Sequence, residues 1–230
     1  MKQTLRKRVV VFLFIATYAT TVCCQCRYCE SYENFTADQW TEIDTIYVKH
    51  HSKSRQFWVG GNDYGLSTGE KATDKYLKKN AFVVMQGDTL YVNCQNLQFE
   101  GTRFGNGFVR AIRIGNRSLL IVNRLIGKKA MNRAQVGMMF GAIGTAVSVN
   151  DNLKQQVCYV ISKGANDKGV IDIRLIDDYL MELMLEGHDA LKLEYLSEQD
   201  DSKRQLATHV VPLLERAGII KSPKILGSGF

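Results

Sequence analysis

The sequence predicts an α+β protein: a mainly antiparallel β-sheet, folded as a sandwich or partial barrel, with a glycine-spaced helix and a short helical C-terminal region. Short β-branched and aromatic runs, separated by turns that contain glycine, occupy residues 40–124. After residue 175 the apolar residues recur with the period of a helix. The chain has 230 residues, 45% hydrophobic and 23% charged, which is a globular composition and not a disordered one.

Two hairpins are the strongest β signals. Ala81–Gln86 and Thr89–Asn93 flank Gly87-Asp88, and Phe108–Ile114 and Ser118–Val122 flank Gly115-Asn116. A glycine followed by one other residue suits a two-residue type II′ turn. Further strands are predicted at Thr45–Lys49, Gln56–Val59, Gln155–Ile161 and Val170–Leu175.

Helices are predicted from cap residues and apolar stripes. Ser67-Thr-Gly-Glu70 has capping-box spacing and predicts a helix that ends near Asn80. Asp177 or Asp178 can cap a helix that holds Leu180, Leu183 and Met184, and Asp189 can start another with Leu191, Tyr195 and Leu196. Ser202-Lys-Arg-Gln205 is a second capping box, followed by a stripe through Leu206, Val210, Leu213, Leu214 and Ala217 that contains Pro212 and that Gly218 can close.

The N-terminus predicts export. Residues 1–8 are basic, residues 9–19 form an apolar run too short to span a bilayer, and residues 20–24 are small and weakly polar. We therefore expect a signal peptide over residues 1–24 with cleavage before Gln25; acylation of Cys23 or Cys24 is the alternative. The rest divides into a β domain with inserted helices over 25–175, a helical region over 176–220 and a tail over 221–230. The expected location is the periplasm or the outer membrane.

After cleavage four cysteines remain, an even number in an oxidising compartment. Cys26 and Cys29 form a CxxC, which we interpret as a local disulfide or a frayed tail because no strand precedes it, as redox motifs require. Cys94 shares a strand face with apolar residues and is expected in the core, with Cys158 as a possible partner. No metal site is predicted, because Cys94 and Cys158 are too far apart to form a second close pair.

Charge argues against a nucleic-acid partner. The formal charge of +7 includes +4 from residues 1–24, so the mature chain carries only +3. Residues 41–133 hold fifteen Lys and Arg against seven Asp and Glu, whereas residues 134–230 hold ten against thirteen, and acidic C-terminal helices would repel phosphate. Solvated sheet edges or pairing with the acidic helices are the favoured role for the arginines of the basic part, and an anion site is the alternative; the candidates are Arg103, Arg110, Arg113 and Arg117. On a regular strand, however, Arg110 and Arg113 face opposite sides.

An uncharged segment, residues 134–150, is spaced by small residues: Gly137, Gly141, Gly144, Thr145 and Ser148. On a helix this spacing makes a groove, a glycine zipper, that lets another backbone approach closely. Membrane insertion, self-association and burial against the sheet are the alternatives, and the length is marginal for a membrane span. We expect a buried or interfacial helix.

Four blocks of the chain resemble a family of exported Bacteroidetes proteins of unknown function: Trp40–Gly61, Leu77–Cys94 (LKKNAFVVMQGDTLYVNC), Arg103–Ile121 and the glycine-spaced segment. The similarity covers most of the mature chain. Gln25 is also similar to the N-terminal glutamine common in exported proteins of that group. The resemblance implies an envelope location, and it brings no activity, cofactor or catalytic residue.

The sequence contains no nucleophile elbow, Walker loop, zinc-protease helix or dinucleotide fingerprint, and its four histidines form no catalytic pattern. We therefore expect a non-enzymatic envelope protein that acts by binding or scaffolding at the periplasmic or membrane surface, with no cofactor. Its partner would be a membrane surface, an envelope protein or a glycan. The alternative is a periplasmic redox or hydrolytic enzyme whose site the sequence does not display.

We expect the native protein to begin at Gln25 and to fractionate with the periplasm or the medium, since the apolar run is too short to remain as an anchor. Intact-mass and N-terminal analysis after cell fractionation measures this. A lipid on Cys23 or Cys24, or a membrane-bound chain that keeps residues 1–24, would contradict it.

Overall fold

Ten strands form one antiparallel sheet in this computed structural model, which describes residues 25–52, 62–128, 130, 156–164 and 171–221. The strands are β1 (Cys26–Cys29), β2 (Thr41–Ile43), β3 (Tyr47–His50), β4 (Tyr64–Ser67), β5 (Val83–Gln86), β6 (Thr89–Asn93), β7 (Gln98–Phe99), β8 (Thr102–Arg103), β9 (Phe108–Ile114), β10 (Ser118–Arg124), β11 (Gln156–Lys163) and β12 (Ile171–Leu175). Their order is β12-β11-β10-β9-β6-β5-β1-β2; β4 joins at β9 and carries β3, and β7–β8 form a separate hairpin. The described sheet is open and not closed into a barrel, and the α+β class is confirmed.

Of the described helices, two lie between strands of the sheet and four follow the last strand. They are α1 (Tyr32–Thr36), α2 (Lys71–Asn80), α3 (Asp178–Met184), α4 (Asp189–Ser197), α5 (Asp201–Arg204) and α6 (Ala207–Arg216). As predicted, Asp177 caps α3 by accepting the Leu180 N–H, and α6 buries Val210, Leu213 and Leu214 despite Pro212.

Both predicted hairpins are present. β5 and β6 pair from Gln86 and Thr89 outward, which leaves the two-residue turn that Gly87-Asp88 predicts. The β9–β10 hairpin differs, because its first pair is Ile114 with Ser118 and three residues lie between them. A three-residue loop with a glycine at positive φ is the next most common hairpin connection, and Gly115 has φ of 55°.

Strand alternation divides the core between two faces of the sheet. On the first face, Val109 and Ala111 of β9 join a cluster covered by Tyr32 and Phe35 of α1. On the second face, Phe108 of β9 belongs to a cluster with α2, β3 and β4. Farther along this face, Leu120 of β10, Cys158 of β11 and partly buried residues of β9 pack against α3 to α6 in a separate cluster. The central strands are thus buried on both sides.

The sheet branches at β9, because β10 pairs with its C-terminal part while Tyr64 of β4 pairs with Phe108. Two buried asparagines fill the branch: the Asn123 amide donates to Asn62 Oδ1 at 2.9 Å, and Asn62 Nδ2 lies 3.0–3.3 Å from the carbonyl oxygens of residues 104–106. Gly107 has φ of 99°, and a Cβ there would lie 3.0 Å from the Tyr64 carbonyl. These contacts satisfy backbone groups that the diverging strands leave unpaired.

Both predicted capping boxes are wrong. Ser67 pairs with Tyr47 as the last residue of β4, so α2 begins at Lys71 without a side-chain cap bond from Glu70. Ser202 lies inside α5, whose N-cap is Asp200. Leu206, the first residue of the predicted apolar stripe, is extended and forms a β-bridge with Val157, so α6 begins at Ala207.

The Asp74 carboxylate of α2 joins the first turns of the helix to the end of β4. It accepts hydrogen bonds from the Thr68 N–H, the Thr68 hydroxyl and the Ser67 hydroxyl. Partial burial raises the pKa of Asp74, but these hydrogen bonds outweigh it and the net pKa is lowered.

Asp74→Ala should therefore destabilise the fold by about 1–2 kcal/mol at pH 7, since it removes a carboxylate that accepts three hydrogen bonds from Ser67 and Thr68. A carboxyl whose pKa is lowered by folding stabilises the protein above its unfolded pKa, so the difference from wild type should shrink as the pH falls below about 4. Urea unfolding at pH 7 and pH 3 measures both effects. Lys75→Ala, at the neighbouring exposed position, is the control, and a pH-independent difference would contradict the role of the carboxylate.

Candidate functional site

Two helices of the C-terminal region expose large apolar side chains. On α3, Tyr179 and Leu183 are 72% and 52% exposed, and on α4, Leu193 and Leu196 are 73% and 40% exposed. Tyr179 and Leu183 are four residues apart and share one side of α3. We call these four side chains the apolar helix surface. Leu193 and Leu196 are three residues apart and likewise share one side of α4. Exposed apolar groups that share a side of a helix mark interaction sites more often than isolated ones do.

The apolar helix surface lies among acidic residues. Residues 177–198 contain seven Asp and Glu residues and one Lys, so the local charge is strongly negative. The opposite sides of the two helices are apolar as well, because Met181 of α3 and Tyr195 of α4 are buried in the cluster beneath. A partner that covers this surface must therefore match apolar groups and negative charge together.

A charged network fixes α3, α4 and α5 to one another. Arg204 of α5 donates hydrogen bonds from Nε and Nη2 to the Asp178 carboxylate of α3, at 3.0 and 2.6 Å. Its Nη1 donates to the Glu198 carbonyl at 2.6 Å. The Tyr195 hydroxyl of α4 donates to the same carboxylate at 2.8 Å. The Arg204 side chain is only 13% exposed, against 39% for Asp178. A bidentate pair of this kind holds geometry as well as adding energy.

The electrostatics of this network keep Tyr195 neutral and Arg204 charged. Burial raises the pKa of Tyr195, and its hydrogen bond to Asp178 raises it further, so the phenol stays neutral and donates. The hydrogen bond to Asp178 raises the pKa of Arg204, which stays charged. The helices are thus joined by a fixed donor–acceptor arrangement at neutral pH.

A second pair links α4 to α6. Arg216 donates two hydrogen bonds to the Glu194 carboxylate at 2.5 and 2.8 Å, but both side chains are about half exposed. The His209 ring stacks on Tyr195 with 5.6 Å between centroids. Because α6 packs on β11, these contacts connect the exposed helices to the sheet.

A family of unknown function, DUF6563, matches residues 27–221 of the chain. The chain belongs to this family. The match runs from β1 to the residues after α6, so it includes the apolar helix surface and the sheet that supports it. Neither a curated protein nor a solved structure matches the chain.

The structure does not gather the four predicted anion-binding arginines into one patch. Arg113 lies on the first face of the sheet, with its guanidinium carbon 4.6 Å from the centroid of the Phe35 ring. Arg110 lies on the opposite face of the same strand, as strand alternation predicts. Arg103 is exposed on β8 and Arg117 is exposed in the β9–β10 loop.

The predicted cysteine pairs are not brought together either. Cys29 and Cys94 lie in the cluster of the first face, whereas Cys26 and Cys158 lie in the two clusters of the second face. Cys29, Cys94 and Cys158 are free thiols, and burial raises the pKa of Cys29 and Cys158 to about 12. The CxxC is not a frayed tail, because β1 is paired on both sides, by β2 and β5.

The glycine-spaced residues Gly137, Gly141, Gly144, Thr145 and Ser148 lie outside the described residues. Within the described ranges, no helix has both the length and the apolar character needed to cross a membrane. The same ranges hold no group of three or more His, Cys, Asp or Glu side chains suited to a metal ion.

An open cleft of about 220 Å³ lies on the other side of the molecule, where α1, the end of α2 and β12 meet. Its lining is mixed: the Glu30 and Glu33 side chains, the amides of Asn80 and Asn96, and the apolar Leu97 and Ile171. The Glu30 carboxylate already accepts the Tyr76 hydroxyl, and Asn96 Nδ2 donates to the Lys79 carbonyl at 3.3 Å. These groups are thus engaged in holding the cleft together.

Sequence reasoning missed the apolar helix surface. It assigned Leu183 and Leu196 to buried stripes, and it made no use of Tyr179 and Leu193. A signal was present: α3 and α4 carry apolar residues around more of their circumference than one buried side requires. The Asp178–Arg204 pair could not be read from the sequence, because its partners are 26 positions apart.

Arg204→Ala should destabilise the protein by about 2–3 kcal/mol, because it strips a partly buried carboxylate of its bidentate cation. Arg216→Ala is the matched control and should cost under about 1 kcal/mol, since exposed ion pairs contribute little. Thermal and urea unfolding of both variants, with Asp178→Asn added as a double-mutant cycle, measures the difference. Equal losses for the two arginines would show that the network does not hold the helices.

Proposed function

We propose that this protein is a non-enzymatic binding protein of the cell envelope that docks a partner protein through the apolar helix surface. The observation that carries the proposal is the exposure of Tyr179, Leu183, Leu193 and Leu196 on helices that are otherwise firmly packed. Leaving such groups in water is unfavourable by roughly 1–3 kcal/mol for each large side chain, and a partner that covers them recovers this free energy.

The chemistry of the surface defines the partner. Seven acidic residues against one lysine in residues 177–198 favour a partner whose contact surface is basic at the rim and apolar at the centre. Nucleic acid does not fit, because phosphate would be repelled by the same carboxylates. The layout of residues 1–24 supports the envelope location of this encounter.

The charged network beneath the apolar helix surface holds this surface in place before a partner binds. Asp178, Tyr195 and Arg204 hold α3, α4 and α5 in one arrangement, so little order has to be created on binding. A surface that is already ordered loses less conformational entropy when its partner arrives, which strengthens association.

Site-specific photo-crosslinking in cells tests the proposal. A photoreactive residue in place of Leu193 should give a crosslinked product in the envelope fraction, because this side chain lies at the contact. The matched control is Tyr47, which is 63% exposed on β3 in the basic part of the chain and should give no such product. Mass spectrometry of the product identifies the partner and the residues it places on the surface.

Adding Leu183→Asp should reduce the yield at position 193 about tenfold, because a charge replaces an apolar contact at the centre of the interface. High salt should reduce it as well, since the rim is held by opposite charges. The proposal fails if positions 193 and 47 crosslink equally, or if the contacting segment of the product is acidic.

A further inference from the structure

Arg110 lies on the second face of the sheet, between two core clusters. Phe108, two residues before it on β9, belongs to the cluster with α2, and Ile112, two residues after it, packs against the cluster of α3 to α6. Because residues two apart on a strand share a face, the Arg110 side chain emerges at the boundary between the two clusters. Arg110 is half-buried there.

Among the described residues, no ion pair engages this guanidinium. Its Nε is buried and has no hydrogen-bond partner, and the ion pairs among described residues involve Arg174, Lys203, Arg204 and Arg216 instead. An arginine cannot shed its proton to escape the cost of burial. A buried guanidinium nitrogen without a partner is therefore unfavourable unless an anion reaches the group.

Two tyrosines flank Arg110 on the same face. Tyr91 of β6 is its direct register partner, and Tyr64 of β4 pairs with Phe108 from the other side of β9. The two rings meet edge to face with 5.3 Å between centroids. The His50 ring contacts Tyr64 from the outside, also at 5.3 Å.

The charge of Arg110 also acts on the Tyr64 phenol. Burial raises the pKa of Tyr64, while the Arg110 charge acts to lower it, so the guanidinium and the phenol are close enough to interact. The Asp63 carboxylate, next to Tyr64 in the chain, acts on the same phenol in the opposite direction and raises its pKa. Arg110, Tyr64 and Tyr91 thus bring one positive charge and two aromatic rings to this boundary.

We propose that Arg110, with Tyr64 and Tyr91 beside it, binds an anionic oxygen group, a phosphate or a carboxylate, carried by a small molecule or a lipid headgroup. A guanidinium donates paired hydrogen bonds to such a group in a fixed plane, and phenol hydroxyls add further donors. The aromatic rings offer apolar contact to the part of the ligand that carries the anion. This site is separate from the apolar helix surface and does not depend on it.

Side-chain NMR of the purified protein tests the site with inorganic phosphate and with acetate as probes. One arginine Nε–Hε signal should shift and saturate, and Arg110→Lys should remove that signal and weaken binding about tenfold, because the paired donors are lost. Arg117→Lys, in the exposed β9–β10 loop, is the matched control and should leave binding unchanged. Tyr64→Phe should weaken binding by a smaller factor, about threefold, if its hydroxyl donates.

Flotation with phosphatidylglycerol vesicles distinguishes the two ligand sources. Flotation that Arg110→Lys abolishes supports a lipid headgroup, and saturable phosphate or acetate binding without flotation supports a soluble ligand. The proposal is overturned if neither probe binds, or if Arg110→Lys and Arg117→Lys behave alike. Because Arg110→Lys keeps the charge and most of the volume, an unchanged melting temperature shows that a loss is not due to unfolding.

Discussion

The architecture depends on the strand β9, which is paired along both edges and covered on both faces. Val109 and Ala111 enter one core cluster, whereas Phe108 enters a second cluster and Ile112 and Ile114 pack against a third. A strand in this position cannot shift by one residue without moving every one of its side chains to the wrong layer. The placement of α1 on one side, and of α2 and α3 to α6 on the other, follows from this single register.

Buried amides complete the hydrogen bonding where regular pairing stops. Asn62 and Asn123 do so at the branch of β4 and β10, and Asn93 does so at the end of α2, where its Nδ2 lies 2.9 Å from the carbonyls of Lys78 and Ala81. An unpaired carbonyl in the same places would cost about 1–3 kcal/mol. Side-chain amides at these points supply hydrogen bonds to backbone carbonyls that strand pairing leaves without a partner.

Sequence patterns predicted correctly those features that depend only on residues close together in the chain. The Gly87-Asp88 hairpin and the Asp177 cap need only residues that are close in the chain, and both are present. The capping box at Ser67 failed because pairing with Tyr47, twenty positions away, holds Ser67 in a strand. Tertiary pairing overrides a cap preference of about 1 kcal/mol. The alternation of side chains along a strand likewise predicted that Arg110 and Arg113 lie on opposite faces of β9. It did not predict that Tyr64 and Tyr91 would contact each other beside Arg110.

The second face of the sheet carries both features on which the two proposals rest. Arg110 marks the boundary between its two clusters, and the cluster of α3 to α6 carries the apolar helix surface on its outside. Their charges are opposite, since one is a guanidinium and the other is rich in carboxylates. A single ligand cannot satisfy both, because the anion that suits Arg110 is repelled by residues 177–198. The two proposals thus assign a small anionic ligand and a basic protein partner to separate places on one side of a single sheet.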